Sequence, residues 1–381
     1  MTSLPDTPAR RDENGASESL SQRQLIWRRF RKHKLALVAL FVIPSLYIVA
    51  VFANFFAPMH TNAKYLDYAN CPPQSVKFSL DYGLYTPRLK VHVDPITKRK
   101  TYVRDGDEVV RLGFFVRGHD YKLLGLIPSQ THFFGADPDK NSLTSENRIM
   151  PFYFLGADGH GKDIFSRLIH GARVSLSVGL VGIAVTFVLG LTIGGISGYV
   201  SGRTDTVIQR FCEIINSFPR LPMWLALGAA VPTDWTPLQT YFGITVALSL
   251  LSWTGLARVV RGKILSLREE DYATAARLLG ASHGRILFRH LLPGFTSHII
   301  VSLTLAIPGV ILGETSLSFL GLGLRDPVVS WGVMLQDCMD IEAVRYYPWL
   351  MAPVIMIITT VLCFNFLGDG LRDAADPYST R

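Results

Sequence analysis

"VSLSVGLVGIAVTFVLGLTIGGISGYV", Val174 to Val200, is 27 residues without a charge. A helix rises about 1.5 Å per residue, so roughly 20 apolar residues cross the hydrocarbon core of a bilayer. A buried helix of a large soluble enzyme would carry polar positions at helical spacing. This stretch carries almost none, and it is not alone. Leu35–Ala57 runs for 23 residues without a charge, and Phe242–Ala257, Phe295–Gly313 and Pro348–Gly368 are similar. The 381-residue chain is 49% hydrophobic and 18% charged, both displaced from a soluble protein toward a membrane protein. The sequence reads as an all-α polytopic membrane protein.

A sixth span is weaker. Leu221–Val231 is only 11 residues, and Pro219 and Pro222 interrupt the chain around its start. Its helix is expected to begin near Val207, with Arg210 and Glu213 toward water. Charge decides whether it crosses. Eight Lys or Arg precede Leu35, which holds the N-terminus in the cytoplasm. With six crossings, Arg258–Arg289 with seven basic residues and Ser201–Arg220 with three also lie inside. The short outer loops Pro232–Tyr241 and Glu314–Tyr347 then hold none and two. Removing the weak span would put the seven-charge loop outside. Six transmembrane helices with both termini cytoplasmic is the consistent expectation. The net charge of +8 then belongs to topology and to anionic membrane lipid, and no nucleic acid is expected as a partner.

The expected divisions are a basic cytoplasmic tail (1–34), a first transmembrane helix (35–57), an outer, periplasmic insert (58–172), a transmembrane core (173–369) and a cytoplasmic C-terminal tail (370–381). Residues 1–24 are polar and expected to be disordered; they do not read as a signal peptide. The insert is long enough for a small domain. Its "RLKVHVDPITKRKTYVRDGDEVV", from Arg88, has alternating runs broken at Asp94-Pro95 and at Asp105-Gly106, which predicts β-hairpins. "RLGFFVRG" and "YKLLGLIP" could add two strands, making the insert β-rich. Of four cysteines, none forms a C-x-x-C pair. Cys71 and Cys338 both fall outside, as a bridge or, the favoured reading, as two thiols.

"GADGHGKD", Gly156 to Asp163, reads G-x-x-x-x-G-K and stops one residue short of a phosphate loop. That loop needs a Ser or Thr hydroxyl for Mg²⁺ at its eighth place, where this chain has Asp163. The segment also lies outside, where there is no ATP pool. A turn leading into an amphipathic helix is expected instead, with Ile164, Phe165 and Leu168 at the membrane surface.

The most informative polar segment is inside: "REEDYATAARLLGASHGRILFRHLLPG", from Arg268. Glu269, Glu270 and Asp271 suit the N-terminus of a short helix. Ala273, Ala275 and Ala276 permit close approach, and Gly280 is placed as its stop. Such a helix suits insertion into a partner's groove, or rest on lipid.

This loop resembles that of ABC importer permeases, whose pattern is Glu-Ala-Ala, three residues, Gly, nine residues, Ile-x-Leu-Pro. The chain has Thr274-Ala275-Ala276, Gly280 and His290-Leu291-Leu292-Pro293, with Thr274 in place of Glu and His290 in place of Ile. Glu270 and Asp271 stand near the missing charge. Three further stretches resemble the dipeptide/oligopeptide/nickel group: "LGADGHGKD", with Ala157 for Thr and Lys162 for Arg; "GETSLSFLGLGLRDPVVSWGVML" from Gly313; and "FNFLGDGLRDAADP" from Phe364. The resemblance implies a permease subunit with a coupling loop at about 261–293. Its partners would be a homologous second permease, two ATPase subunits that use ATP and Mg²⁺, and an extracytoplasmic substrate-binding protein. No cofactor and no catalytic site are expected in this chain. Cargo would be oligopeptides, or alternatively oligosaccharides or nickel. The insert exceeds that group's usual loop.

Two other classes find little support. An intramembrane enzyme needs a converging catalytic set, and no H-E-x-x-H or pair of span acids occurs. A secondary transporter usually has inverted repeats and midplane ion ligands, and neither is evident. Gly182, Thr186, Gly190, Gly194 and Gly198 form a small-residue ladder for packing or a moving interface. Pro308 and Pro353 allow kinks. Glu314 is the main intramembrane acid, a pathway or outer-gate candidate or a loop anchor, with His298 and Asn365 as lesser polar candidates.

Overall fold

The structure is a computed structural model that describes residues 22–96, 100–141, 151–232 and 234–375. The disorder expected of the N-terminal tail falls almost wholly outside the described residues. The chain opens with α1 (Gln22–Phe30), α2 (Lys34–Val51) and the single turn α3 (Ala53–Phe56). His33 caps α2: its Nδ1 accepts a hydrogen bond from the Ala36 amide at 3.1 Å. Its apolar length then carries the helix across Pro44.

Next comes a four-stranded antiparallel meander, β1 (Lys77–Ser79), β2 (Gly83–Val93), β3 (Lys100–Leu123) and β4 (Ile127–Ala136), in that spatial order. β2 and β3 pair antiparallel on either side of Asp94-Pro95. Asp105-Gly106 does not turn the chain. It forms a bulge inside β3, where the pairing jumps from Pro87–Val109 to Leu89–Arg104. "RLGFFVRG" lies within the same long strand, and the hairpin turn comes at Leu124–Leu126. Gly106 takes φ +54°, which a bulge accommodates as readily as a turn does.

The helical core follows: α4 (Ile164–Val200), α5 (Gly202–Ser217), α6 (Arg220–Ala229), α7 (Pro237–Leu267), α8 (Asp271–Leu278), α9 (His283–Arg285), α10 (Thr296–Phe319), α11 (Trp331–Met334), α12 (Ile341–Tyr346) and α13 (Ala352–Ala375). Among the described residues, five helical segments are long and apolar enough to cross a membrane: Lys34–Val51, Ile164–Val200, Pro237–Leu267, His283–Phe319 and Pro348–Ala375. The sixth expected span is not one helix. Its residues form two shorter helices, α5 and α6, broken at Phe218 and Pro219, because Pro219 has no N–H to continue the ladder, and neither is among those five. The helix also starts at Gly202 rather than near Val207. The last helix runs to Ala375, past the expected boundary at 369.

The glycine ladder of α4 packs within the chain. A Cβ on Gly194 would stand 2.4 Å from the Ala257 carbonyl of α7, and one on Gly182 would stand 2.7 Å from Val310 of α10. Gly190 and Gly198 meet α7 in the same way. Bare backbone on this face lets α4 and α7 lie in direct contact. α2, α10 and α13 pack against α4, burying Ala39, Ile43, Ile307, Ile311 and Phe364 in one cluster. Pro308 lies inside α10, whereas Pro353 is the second residue of α13, where a missing N–H costs little. The irregular stretch lies at the other end of α10's segment, a π turn at Ile286–Leu291 followed by a 3₁₀ turn at Leu292–Phe295.

Candidate functional site

The loop between α7 and α10 is a compact unit. Glu270 precedes α8 in extended conformation without a side-chain cap, and Asp271 lies in the first turn, where the helix dipole favours a carboxylate. At the other end the Gly280 amide donates to the Arg277 carbonyl at 3.0 Å and the Ala281 amide to the Ala276 carbonyl at 3.1 Å. This is a Schellman stop, with Gly280 at φ +77° as its left-handed residue.

One face of α8 is held by the chain itself. Ala273 is fully buried, and Ala276 is half-buried, against a cluster of Val260 and Ile264 of α7 with Ile286, Leu291 and Phe295. The other face is free in the single chain: Glu270, Asp271, Thr274 and Ala275 are exposed, and Leu278 and Leu279 are 84% and 87% exposed. The alanines therefore do not act alike. Ala276 packs inward, and the outward apolar surface comes from Ala275, Leu278 and Leu279. The two leucines stand within "ATAARLLG", but spacing alone does not show which way a helix end points. Pro293 lies in the 3₁₀ turn that opens α10's segment, exposed between buried Leu291 and Phe295.

Polar contacts fix this unit to the adjoining ends of the spans. Arg268 donates from Nη1 to the Gly198 and Tyr199 carbonyls at 3.2 and 3.3 Å. The Tyr199 hydroxyl meets His283 Nδ1 at 2.9 Å. Arg261 of α7 grips Asp205 of α5 with two bonds of 2.5 Å, and Asp205 also accepts from Ser197 at 2.5 Å. These contacts tie the ends of α4, α5 and α7 to one another, and the Tyr199–His283 bond ties α4 to the loop that carries α8.

At the opposite end, Gly156–Asp163 forms a buried electrostatic knot. Lys162 Nζ donates to Asp326 Oδ2 at 2.6 Å, and Arg167 pairs with buried Asp158. Asp163 caps α4, accepting from the Ser166 amide at 2.8 Å. Burial pushes the Asp163 carboxyl up to about 6, against the bonds from Ser166. Burial works against Asp326 as well, yet Lys162 and Arg167 hold its carboxyl below the usual range. The lysine that resembled a phosphate ligand is thus 3% exposed and already paired with Asp326. Of the residues expected at the membrane surface, Ile164 and Leu168 are buried and Phe165 is half-buried.

Glu314 lies where α4, α10 and the segment after α10 meet. It is fully buried, and Ser175 of α4 and Ser318 donate to its carboxylate at 3.2 and 2.8 Å. Ser330 bonds it as well, and Ser175 also accepts from the Trp331 amide at 3.1 Å. The acid thereby ties the segment after α10 to two helices, and it reaches none of the cavities described below. His298 lies about 24 Å along the same helix axis from Glu314, so it does not converge with it. All four cysteines are free thiols. Burial pushes Cys71 up to about 12 and Cys338 up to about 11, so both stay protonated at neutral pH.

One feature has no clear sequence signal. A cavity of 420 Å³ opens between α4, α6, α7 and α10, lined by Thr186, Arg220, Trp224, Ser252 and Ser302 among others. Thr186 Oγ1 and Trp224 Nε1 are buried there without a hydrogen-bond partner. Its residues come from four separate elements, which no local pattern could assemble.

Comparison with known proteins gives the same assignment. Residues 190–380 match the family described as binding-protein-dependent transport system inner membrane component. Residues 21–73 match the N-terminal TM domain of oligopeptide transport permease C. The dipeptide transport system permease protein DppC of Lactococcus lactis is 33% identical over 372 residues, 96% of this chain and 93% of that one. Its alignment therefore runs through the insert. The oligopeptide transport system permease protein OppC of Haemophilus influenzae is 38% identical over 242 residues, 63% of this chain and 75% of that one. The glutathione transport system permease protein GsiD of Pectobacterium atrosepticum is 39% identical over 225 residues, 59% of this chain and 72% of that one. The chain belongs to the binding-protein-dependent transport system inner membrane component family and is a multi-pass permease subunit of an ABC importer, not an enzyme.

Proposed function

We propose that the chain forms one half of a peptide translocation pathway, driven through α8 by a separate ATPase. The observation that carries this is the two-faced α8: one face locked to the spans by Ala273 and Ala276, the other offering Ala275, Leu278 and Leu279 to a groove. Glu270, Asp271 and Thr274 flank that face as the polar rim, Gly280 ends it, and Pro293 marks the return to the membrane. ATP and Mg²⁺ are used by two ATPase subunits docked below. A substrate-binding protein delivers cargo to the outer face.

The proposed topology has six crossings in the inner membrane, both termini in the cytoplasm and the sheet outside. It counts α5 and α6 together as one broken crossing, which keeps the seven-charge loop inside. A homologous second permease is the proposed partner of α5. Val207, Phe211, Ile214 and Phe218 form an exposed apolar stripe at helical spacing on a helix that also carries Arg210 and Glu213. In this reading the 420 Å³ cavity is this subunit's share of the pathway. Its unpaired Thr186 hydroxyl and Trp224 indole N–H suit the carbonyls and amides of a peptide backbone. Relatives named for oligopeptides, dipeptides and glutathione support the peptide class.

The test is uptake of labelled di- to pentapeptides by cells with and without the chain. ATP-dependent uptake that is lost on deletion and restored by the chain supports the reading. Ser302→Trp, which fills the cavity, should block uptake while ATPase association persists. Uptake unaffected by deletion would end the peptide assignment.

A further inference from the structure

A second cavity of 530 Å³ lies at the other end of the molecule, between the sheet and the ends of three spans. Leu46 and Val49 of α2, Leu168 and Ala172 of α4, and Met356 of α13 form its helical walls. Phe114, Phe133 and Phe134 of the sheet and Phe152, Phe154 and Phe165 close it from above. Every side chain lining it is apolar. It has the size of a ligand site but not the chemistry of a peptide site, because a bound amide would lose its hydrogen bonds to water and regain none.

Its height in the membrane follows from the elements around it. Leu46 and Val49 stand in the last turns of α2, Leu168 and Ala172 in the first turns of α4, and Met356 in the second turn of α13. Polar groups mark the membrane boundary beside them. Arg173 donates to the Ala50 and Val51 carbonyls at 3.0 and 2.9 Å, and His170 meets Asn54 at 3.0 Å. The lining residues of α2 and α13 are flanked by Ile48 and Ile355, which are 55% and 68% exposed, so the cavity is continuous with the outward apolar surface of the spans. The hairpin tip of the sheet is apolar too: Leu124, Leu126 and Ile127 are exposed, and the Asn54 side chain donates to the Lys122 carbonyl at 3.3 Å, holding the tip near the end of α3.

We infer that this cavity binds an acyl chain of a membrane phospholipid, with the β3–β4 hairpin resting on the same leaflet. The chain enters between α2 and α13 and lies under the phenylalanines, its headgroup remaining at the level of Asn54 and Arg173. This gives the insert a role independent of the transport reading: it seals a lipid against the ends of the spans.

The test uses native membranes containing the full chain and a phospholipid with a diazirine near the end of one acyl chain. After irradiation, adducts are mapped by peptide mass spectrometry. Labelling of Phe114, Phe134 and Phe152 above that of the lipid-exposed Phe41 and Ile358 is expected. Val49→Trp and Ala172→Trp each overfill the cavity and should lower that labelling about tenfold, with Phe41 and Ile358 unchanged. Two variants from different helices guard against one failing to fold. Labelling confined to Phe41 and Ile358, or unaltered labelling of the cavity in both folded variants, would each overturn the inference.

Discussion

Ala275 and Ala276 are adjacent and chemically identical, yet their surroundings assign them opposite work. Ala276→Trp forces an indole into the chain's own cluster of Ile264 and Ile286, at a cost on the order of 1–3 kcal/mol. It should lower the midpoint of thermal unfolding of the purified chain, whereas Ala275→Trp should leave that midpoint unchanged and reduce ATPase co-purification. Equal midpoints for the two variants would contradict the assignment of faces. Gly280→Val meets no neighbour within 4 Å but must hold φ +77°, so its penalty is backbone strain of about 1–2 kcal/mol. Lys162→Ala should leave the ATPase activity of an assembled transporter intact and destabilise the Gly156–Asp163 knot, because Asp326 loses its 2.6 Å partner. Photolabelling of this chain by an ATP analogue, removed by Lys162→Ala, would contradict that. At this scale the sequence was a good guide to spacing and a poor one to direction. Thr274 to Gly280 could be counted off as a helix and its stop, but burial of Ala276 depends on contact with Val260 and Ile264 of α7, which no spacing within the loop reveals.

At the scale of elements, uncharged length was the strongest signal and turn chemistry the weakest. Five spans were visible because twenty apolar residues have no other stable environment. The broken α5–α6 pair was harder, since Pro219 divides the stretch read as a sixth crossing into two helices that are each too short to span. In the insert, Asp105-Gly106 has the composition of a turn and serves as a bulge, because β3 continues its pairing with β2 on both sides of it. The sheet carries its own pH dependence. His119 packs against His132 with ring centroids 4.4 Å apart and near His60 at 5.5 Å. Burial, and then the neighbouring histidines, hold His119 down at about 4. Its folded value lies below its unfolded value near 6.5, so the stability it contributes is full above 6.5 and is lost as pH falls toward 4. Amide exchange in β3 and β4 should therefore accelerate between pH 6.5 and 4, and His119→Gln should flatten that response. A response of the same size in the variant would place the titration elsewhere. On α4, Gly194→Leu should prevent folding, since a Cβ alone already stands 2.4 Å from the Ala257 carbonyl.

At the scale of the whole molecule, two ends with different chemistry are joined by a packed bundle. One end buries charge in a knot and carries a sheet; the other spreads basic residues around a short, half-exposed helix. Membrane-impermeant thiol labelling of intact cells should reach a cysteine at Lys90 and not one at Gly284, because the six-crossing topology places them on opposite sides. The reverse pattern would remove that topology. The family was legible because four motifs occur in order, whereas the two cavities were not, since each is assembled from elements distant in the chain. The central claim, that α8 hands the motion of an ATPase to the spans, is tested most directly by a photo-crosslinking amino acid at Leu278 in native membranes. A protein adduct containing an ATPase subunit, lost when Ala275 is also changed to Trp, is the result expected. Adducts with lipid alone would mean that α8 rests on the membrane and couples to nothing.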